Sequence, residues 1–341
     1  MRRASAIGRG SAVLLAMATI TLASGGSANA AVPGPVYGPA ADVGVVRSDA
    51  GGFVVFATGA LAPVAQGGSE LGPWTSGGKA LSGLGSWSSG GGVWAPDVWK
   101  TPTGWVMYYS APANGMNGQR CIGVATADDV MGPYTPEDIP LVCPNAALGA
   151  DDQVPGQPVA NAGVIDPSPF QASDGRRYLL YRTQMTPSTL RMVPLESAGM
   201  HASSASRELR QSSGIIESPL MVQRGNSYVL FASRQGWNNC SYATAWYRST
   251  GLWRFAGQTE HTLMDTSGTG ICGPGGADVE RESDGGSRIF LHGWRCEYST
   301  GTRNCASTAD VNRLPHSRSM YVGVLGWGSD GATPRVTRFL A

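Results

Sequence analysis

The chain has 341 residues, of which 42% are hydrophobic and only 14% charged, and its formal net charge is +1. A nearly neutral chain without basic runs argues against nucleic acid or an anionic membrane surface as partner. The 48 glycines and 22 prolines suit many short strands joined by turns, not long helices.

In chain order, the first segment reads as a secretory leader. Arg2, Arg3 and Arg9 give a basic start, an apolar run extends from Ala12 to Ala23, and Ala28-Asn29-Ala30 supplies small residues at a cleavage site. The run is too short for a membrane span, and no later stretch reaches the ~20 apolar residues that one needs. The expectation is a leader over residues 1–30 and one domain over 31–341, secreted, extracellular and monomeric. Losing three arginines and no acids leaves that domain 22 basic against 24 acidic side chains.

Five segments then share one pattern. They are "ADVGVVRSDAGGFVVFATG" from Ala41, "APDVWKTPTGWVMYYS" from Ala95, "IDPSPFQASDGRRYLLYR" from Ile165, "IESPLMVQRGNSYVLFAS" from Ile216 and "ADVERESDGGSRIFLHGW" from Ala277. In each, an acid (Asp42, Asp97, Asp166, Glu217 or Asp278) precedes a turn signal and a short apolar strand. The turns carry Gly51-Gly52, Thr103-Gly104, Asp174-Gly175, Gly225-Asn226 and Asp284-Gly285-Gly286. The strands predicted after them are Phe53 to Phe56, Trp105 to Tyr109, Tyr178 to Tyr181, Tyr228 to Phe231 and Ile289 to Leu291. Further strands are predicted over Cys121 to Ala125, Leu190 to Val193, Tyr242 to Tyr247 and Met320 to Leu325. Residues 60–92 and 143–163, rich in Gly, Ser, Ala and Pro, read as long loops of the kind that shape a binding site.

A repeat of about 50 to 70 residues marks stacked units that cannot bury their faces alone. Five units predict an all-β fold, a five-bladed β-propeller with one acid offered by each blade. Six cysteines in an exported chain favour three disulfides, which proximity pairs as Cys121–Cys143, Cys240–Cys272 and Cys296–Cys305. No C-x-x-C or Cys/His cluster points to a metal instead.

Acids gathered at one mouth suit glycosidic bond hydrolysis. That chemistry needs one ionised carboxylate to activate water and one protonated carboxyl to serve the leaving oxygen. Burial and like charges raise one carboxyl pKa, so a cluster can create the difference. The bland alternative is an acid that only accepts backbone hydrogen bonds where strands begin, and it is preferred for Asp97 and Asp278.

The residues also carry a family resemblance. "VWAPDV" (Val93 to Val98), "IDPSPF" with "DGRRYLLYR", "CIGVATADDVMGPYTP" (Cys121 to Pro136), "IESPLMVQRGNSYVLFAS", "GPGGADV", "LHGW" and "RSMYVGVLGW" occur in order, and together they resemble glycoside hydrolase family 43. These are five-bladed propeller enzymes acting on arabinose- and xylose-containing polysaccharides. The resemblance implies that Asp42 is the general base, Glu217 the general acid and Asp166 the residue that orients and tunes it, with inversion at the anomeric carbon. An inverting pair should stand roughly 6.5–9.5 Å apart to admit water.

Two positions depart from the family pattern. Asp42 is followed by Val43-Gly44 where the family has Asp-Pro. Gly276 stands where the family places a His near an ion on the propeller axis, so no cofactor is required here and no motif supports an axial calcium. Trp94, Arg318 and His292 are the candidate substrate-binding residues, with Trp87, Trp99 and Trp237 as further aromatic candidates. Arg182 and Arg234 follow inner strands and are placed to pair with Asp166 or Glu217. The expected substrate is arabinan or arabinoxylan, as polysaccharide or oligosaccharide. Alternatives are a β-xylosidase of the same fold and a non-catalytic sugar-binding propeller; a retaining fructan-active enzyme lacks support, because no Asn-Asp-Pro lies near the N-terminus.

Overall fold

The computed structural model describes residues 1, 32–281 and 285–341. Contacts divide the chain into Met1–Ala31 and Val32–Ala341, and the architecture below belongs to the second unit. The expected leader lies, Met1 apart, outside the described residues, as does Asp284 of the fifth predicted turn.

Five antiparallel sheets follow one another along the chain, and they form the predicted five-bladed propeller. The first blade is β1 (Gly44–Arg47), β2 (Phe53–Phe56), β3 (Pro63–Gly67) and β4 (Trp74–Lys79). The second is β5 (Trp94–Thr101), β6 (Gly104–Pro112), β7 (Arg120–Ala127) and β8 (Thr135–Pro136). The third is β9 (Val164–Gln171), β10 (Arg177–Thr183), β11 (Ser188–Leu195) and β12 (Arg207–Ser212). The fourth is β13 (Ile216–Arg224), β14 (Ser227–Arg234), β15 (Ala243–Ser249) and β16 (His261–Met264). The fifth is β17 (Cys272–Arg281), β18 (Ser287–Tyr298), β20 (His316–Trp327) and β21 (Pro334–Phe339), with β19 (Gly301–Asn304) added on β18.

The core explains why the second strand of each blade reads as an unbroken apolar run. Separate hydrophobic clusters fill the wedges between successive blades, so these strands are buried on both faces. Phe53 to Phe56 is one such strand, with Val54 and Phe56 facing the second blade and Phe53 and Val55 facing the fifth. The hairpin turns use glycine where left-handed backbone is needed, as at Gly225 with φ 56°. The three disulfides pair as the sequence predicts, with Cα–Cα separations of 4.8, 4.5 and 4.9 Å. Cys240–Cys272 joins the fourth blade to the fifth.

The expected loop over 60–92 is corrected: it contains β3 and β4. β4 is an outer strand reading WTSGGK and is solvent-facing along nearly all its length, so it has no apolar alternation to announce it. It is a strand because β3 supplies its hydrogen bonds. Residues 143–163 hold a short 3-10 turn at Ala146–Leu148. Closure of the ring uses the segment before the first blade: the N–H of Val36 donates to the Met320 carbonyl at 2.8 Å, and that of Met320 to the Tyr37 carbonyl at 2.7 Å.

Candidate active site

Each inner strand carries one extra residue at the same height. On β5, Trp94 pairs with Ser110 and Asp97 with Tyr108, a step of three residues against two. The same step separates Ile165 from Ser168, Glu217 from Leu220 and Gly275 from Asp278. In the first blade the Thr58 N–H donates to the Ala41 carbonyl while Gly44 pairs with Phe56, which is again three against two. The extra residues are Asp42, Ala95, Asp166, Ser218 and Gly276, all left-handed with φ between 44° and 57°. Such a bulge re-aims side chains at the end of a strand, and Asp tolerates this backbone better than most residues.

This register corrects the idea of one equivalent acid per blade. Asp42 and Asp166 sit on the bulge, Glu217 one residue before it, and Asp97 and Asp278 two residues after it. A repeat tens of residues long hides offsets of one or two. The consequence is chemical, because the three positions meet different surroundings.

Asp42 is held on three sides. Its Oδ1 accepts from Arg318 Nη1 at 2.8 Å, its Oδ2 accepts from the Thr58 hydroxyl at 2.8 Å, and its own N–H donates to His292 Nδ1 at 3.1 Å. Burial disfavours its charge, yet Arg318 and the Thr58 hydrogen bond hold it below the ordinary aspartate pKa. Glu217 is buried and paired through Oε2 with Nη1 of Arg182. Burial raises its carboxyl above the ordinary range against the pull of Arg182 and a hydrogen bond from Tyr242, with the Asp42 charge adding to the rise. Asp166 is pushed up to about 7 by burial and by the Glu217 charge. Its Oδ2 accepts from the Ser218 N–H at 3.0 Å, so it grips the residue next to Glu217.

Asp97 and Asp278 lie deeper on the axis. Asp278 accepts from the N–H of Val279 at 2.7 Å and of Val45 at 2.6 Å, the latter across the seam between last and first blades. Asp97 accepts from the Val98 N–H at 2.8 Å. Both are backbone-bonded acids whose pKa values burial raises. A small cavity of about 40 Å³ is lined by Asp42, Asp97, Asp166 and Asp278 together.

Aromatic and cationic residues flank the acids. Trp94 is 39% exposed and covers the Arg120 guanidinium at 3.4 Å, with Arg120 in the field of Asp166. Trp237 is 47% exposed, stacks on Trp294 at 6.1 Å and lies 5.0 Å from the Arg318 guanidinium. Trp87 is in the core against Tyr109, and Trp99 packs between the second and third blades. Arg182 meets Glu217 as anticipated, whereas Arg234 pairs with Glu260 at 3.2 Å and reaches neither Asp166 nor Glu217. His292 is fully buried and touches Asp42 from behind. Thr58, Ser110 and Tyr242, which no motif marked, complete the setting: Ser110 Oγ accepts from the Asp166 N–H at 3.2 Å.

The residues present do not fit the axial ion of the family pattern. A Cβ on Gly276 would stand 2.6 Å from the His292 ring, so that ring fills the place of a side chain at 276. Its Nδ1 is occupied by the Asp42 N–H, and its Nε2 faces Arg318 Nη1 at 3.5 Å. Among the described residues no group of three or more His, Cys, Asp or Glu side chains gathers as a ligand set.

Comparison with known proteins bears on the fold and the family. No curated protein sequence matches the chain. An exo-1,5-alpha-L-arabinanase from a bovine ruminal metagenomic library superposes with a TM-score of 0.66 at 18% identity, covering 89% of this chain and 98% of that one. An endo-1,4-beta-xylanase from Bacteroides thetaiotaomicron gives 0.63 at 17% identity, covering 90% and 97%. A Cellvibrio cellulosa alpha-L-arabinanase complexed with arabinohexaose gives 0.64 at 19%, covering 87% and 95%. These likenesses concern the fold, but the model of glycosyl hydrolases family 43 matches residues 65–308, and the chain belongs to that family.

Proposed function

We propose that this glycoside hydrolase is exported and cleaves arabinose-containing plant cell-wall polysaccharide, arabinan or arabinoxylan, with inversion. The observation that carries the mechanism is the opposed environment of two carboxyls: Asp42 held ionised by Arg318 and Thr58, Glu217 pushed toward its protonated form by burial. In the reaction, Asp42 takes a proton from water as the water oxygen bonds to the anomeric carbon. The glycosidic C–O bond breaks on the opposite face, and the leaving oxygen receives the Glu217 proton. Asp166 keeps Glu217 aimed through the Ser218 N–H. Trp94 and Trp237 offer faces on which sugar rings stack, and Arg318 fixes Asp42. The arabinanase superpositions and the leader-like N-terminus with three disulfides support substrate and export.

Sugar release from linear arabinan, debranched arabinan, arabinoxylan, xylan and aryl arabinofuranosides tests this. Glu217→Gln should lower kcat on arabinan about 10³-fold, within the range for general acids. It should cost far less on an aryl glycoside whose phenolate leaves without a proton. Equal losses on both substrates would count against Glu217 as the acid, and release from xylan alone would move the substrate to xylose polymers. A product ladder means endo action, and monomer only means exo action.

A further inference from the structure

The bulge amides form a ring of their own. The Ala95 N–H donates to Thr58 Oγ1 at 3.0 Å, that of Asp166 to Ser110 Oγ at 3.2 Å and that of Gly276 to Ser233 Oγ at 2.9 Å. In each case the acceptor is a hydroxyl of the preceding blade, on its second strand for Ser110 and Ser233 and two residues past the end of it for Thr58. It stands opposite the residue that precedes that blade's own bulge. At the seam between the last and first blades the same place is taken by His292, opposite Gly275, and its Nδ1 receives the Asp42 N–H at 3.1 Å. The fourth blade is the exception. There Arg182 stands opposite Ile165 and can only donate, so Asp166 Oδ2 takes the Ser218 N–H in its stead.

We propose that His292 is a positioning residue for the reaction: as a neutral Nε2–H imidazole it accepts the Asp42 amide and fixes the left-handed turn that aims the Asp42 carboxylate. The proposal rests on Asp42 acting as the base. Four observations carry it. A hydroxyl does this work at three seams, so the seam needs an acceptor, and an imidazolium has none. Nδ1 has its shortest polar contact with the Asp42 N–H at 3.1 Å, while Asp42 Oδ1 stands off from Nδ1 and Arg318 Nη1 from Nε2 at 3.5 Å each, so the amide takes the Nδ1 lone pair and the single proton of the neutral ring belongs on Nε2. Gly276 leaves room for the ring, since any Cβ there would collide with it. Tyr242 stacks on its face at 5.8 Å and 10°, which locks the ring plane. The groups around the ring are therefore Arg318, Asp42 and Tyr242, and burial with the Arg318 charge lowers its pKa to about 3.

Two substitutions and one spectrum test this. His292→Asn keeps an oxygen where Nδ1 stands, and His292→Leu keeps bulk without an acceptor. Because displacing a catalytic group by about 1 Å costs about 10²-fold, His292→Leu should lower kcat by that factor with KM changed less than about twofold. His292→Asn should recover most of the loss. A His292→Leu enzyme within about threefold of wild-type kcat, or an Asn variant equally impaired, overturns the proposal. If the Leu variant does not fold, ¹⁵N-histidine spectra of the wild-type protein decide. They should show His292 with an unprotonated δ1 nitrogen and a protonated ε2 nitrogen from pH 5 to 8. A protonated δ1 nitrogen in that range overturns the proposal. The spectrum needs no substrate, so it still decides if the wild-type protein hydrolyses none of the glycosides offered, which is the failure of the functional reading instead.

Discussion

Asp166 and Glu217 titrate as a pair in a buried site, where the Glu217 charge raises the Asp166 pKa and burial raises both. In the proposed mechanism one proton on that pair serves the leaving oxygen while Asp42 is ionised. Activity should therefore rise as pH passes the depressed Asp42 pKa, below the ordinary aspartate value of 3.8, and fall as the raised pair, in which Asp166 is pushed up to about 7, loses its proton. Arg182 pulls both pair members down, so Arg182→Met should move the alkaline limb of kcat/KM upward by about one unit or more. A pH–rate profile checks this, and an unmoved limb would show that Arg182 does not tune the proton donor. Residue chemistry of this kind was only partly legible in the sequence. Asp166 and Glu217 stood in motifs, but Thr58, Ser110 and Ser233 are ordinary hydroxyl residues whose importance comes from strand register. Arg182 and Arg234 lie on equivalent strands, β10 and β14, yet only the first meets a catalytic candidate, and the second pairs with Glu260.

An inner strand must approach its neighbour closely for the acids to converge, and Gly44 shows how tight that approach is. A Cβ there would stand 2.4 Å from the Pro96 carbonyl oxygen and 3.0 Å from the Asp97 Cα, both backbone atoms of the second blade. Gly44→Ala should therefore destabilise by about 2–3 kcal/mol, as overpacking does, and should lower kcat by shifting Asp42 two residues away. Gly68→Ala, with open space around it, should leave both unchanged. Thermal midpoints and kcat of the two variants make the comparison, and equal behaviour would remove the packing argument. Strands showed themselves in the sequence in proportion to their burial. Phe53 to Phe56, buried throughout, was predicted with its observed bounds, and Tyr178 to Tyr181 lies within β10. β4 and β12 are outer strands, the first exposed along nearly all its length and the second over half of it, and their strand character comes from hydrogen bonding to a neighbour, which composition does not encode.

At the scale of the whole ring, stability depends on closing the last blade onto the first. Four features do this: the cluster of Val43, Val45 and Phe53 with Phe290 and Met320, the Asp278 bond to Val45, the Arg318–Asp42 pair, and the strap before the first blade. The strap's Gly34 N–H donates to the Ala341 carbonyl at 2.9 Å, and Val36 and Tyr37 pair with Met320. The Tyr37 ring meanwhile packs on Trp74 of the first blade at 5.6 Å, so one segment holds both sides of the seam. Deleting residues 32–38 removes three backbone bonds at about 1 kcal/mol each and the burial of Tyr37 at about 2 kcal/mol. For a domain of this size that corresponds to a fall of roughly 10 °C in Tm. Unfolding should stay a single transition, because the four other interblade clusters are untouched. Activity should fall further than stability, since Ala40 and Asp42 are anchored through Arg318, whose strand the strap pins in place. Calorimetry and arabinan hydrolysis on the shortened protein separate the two effects. A midpoint unchanged within about 2 °C would mean that the apolar seam closes the ring without the strap.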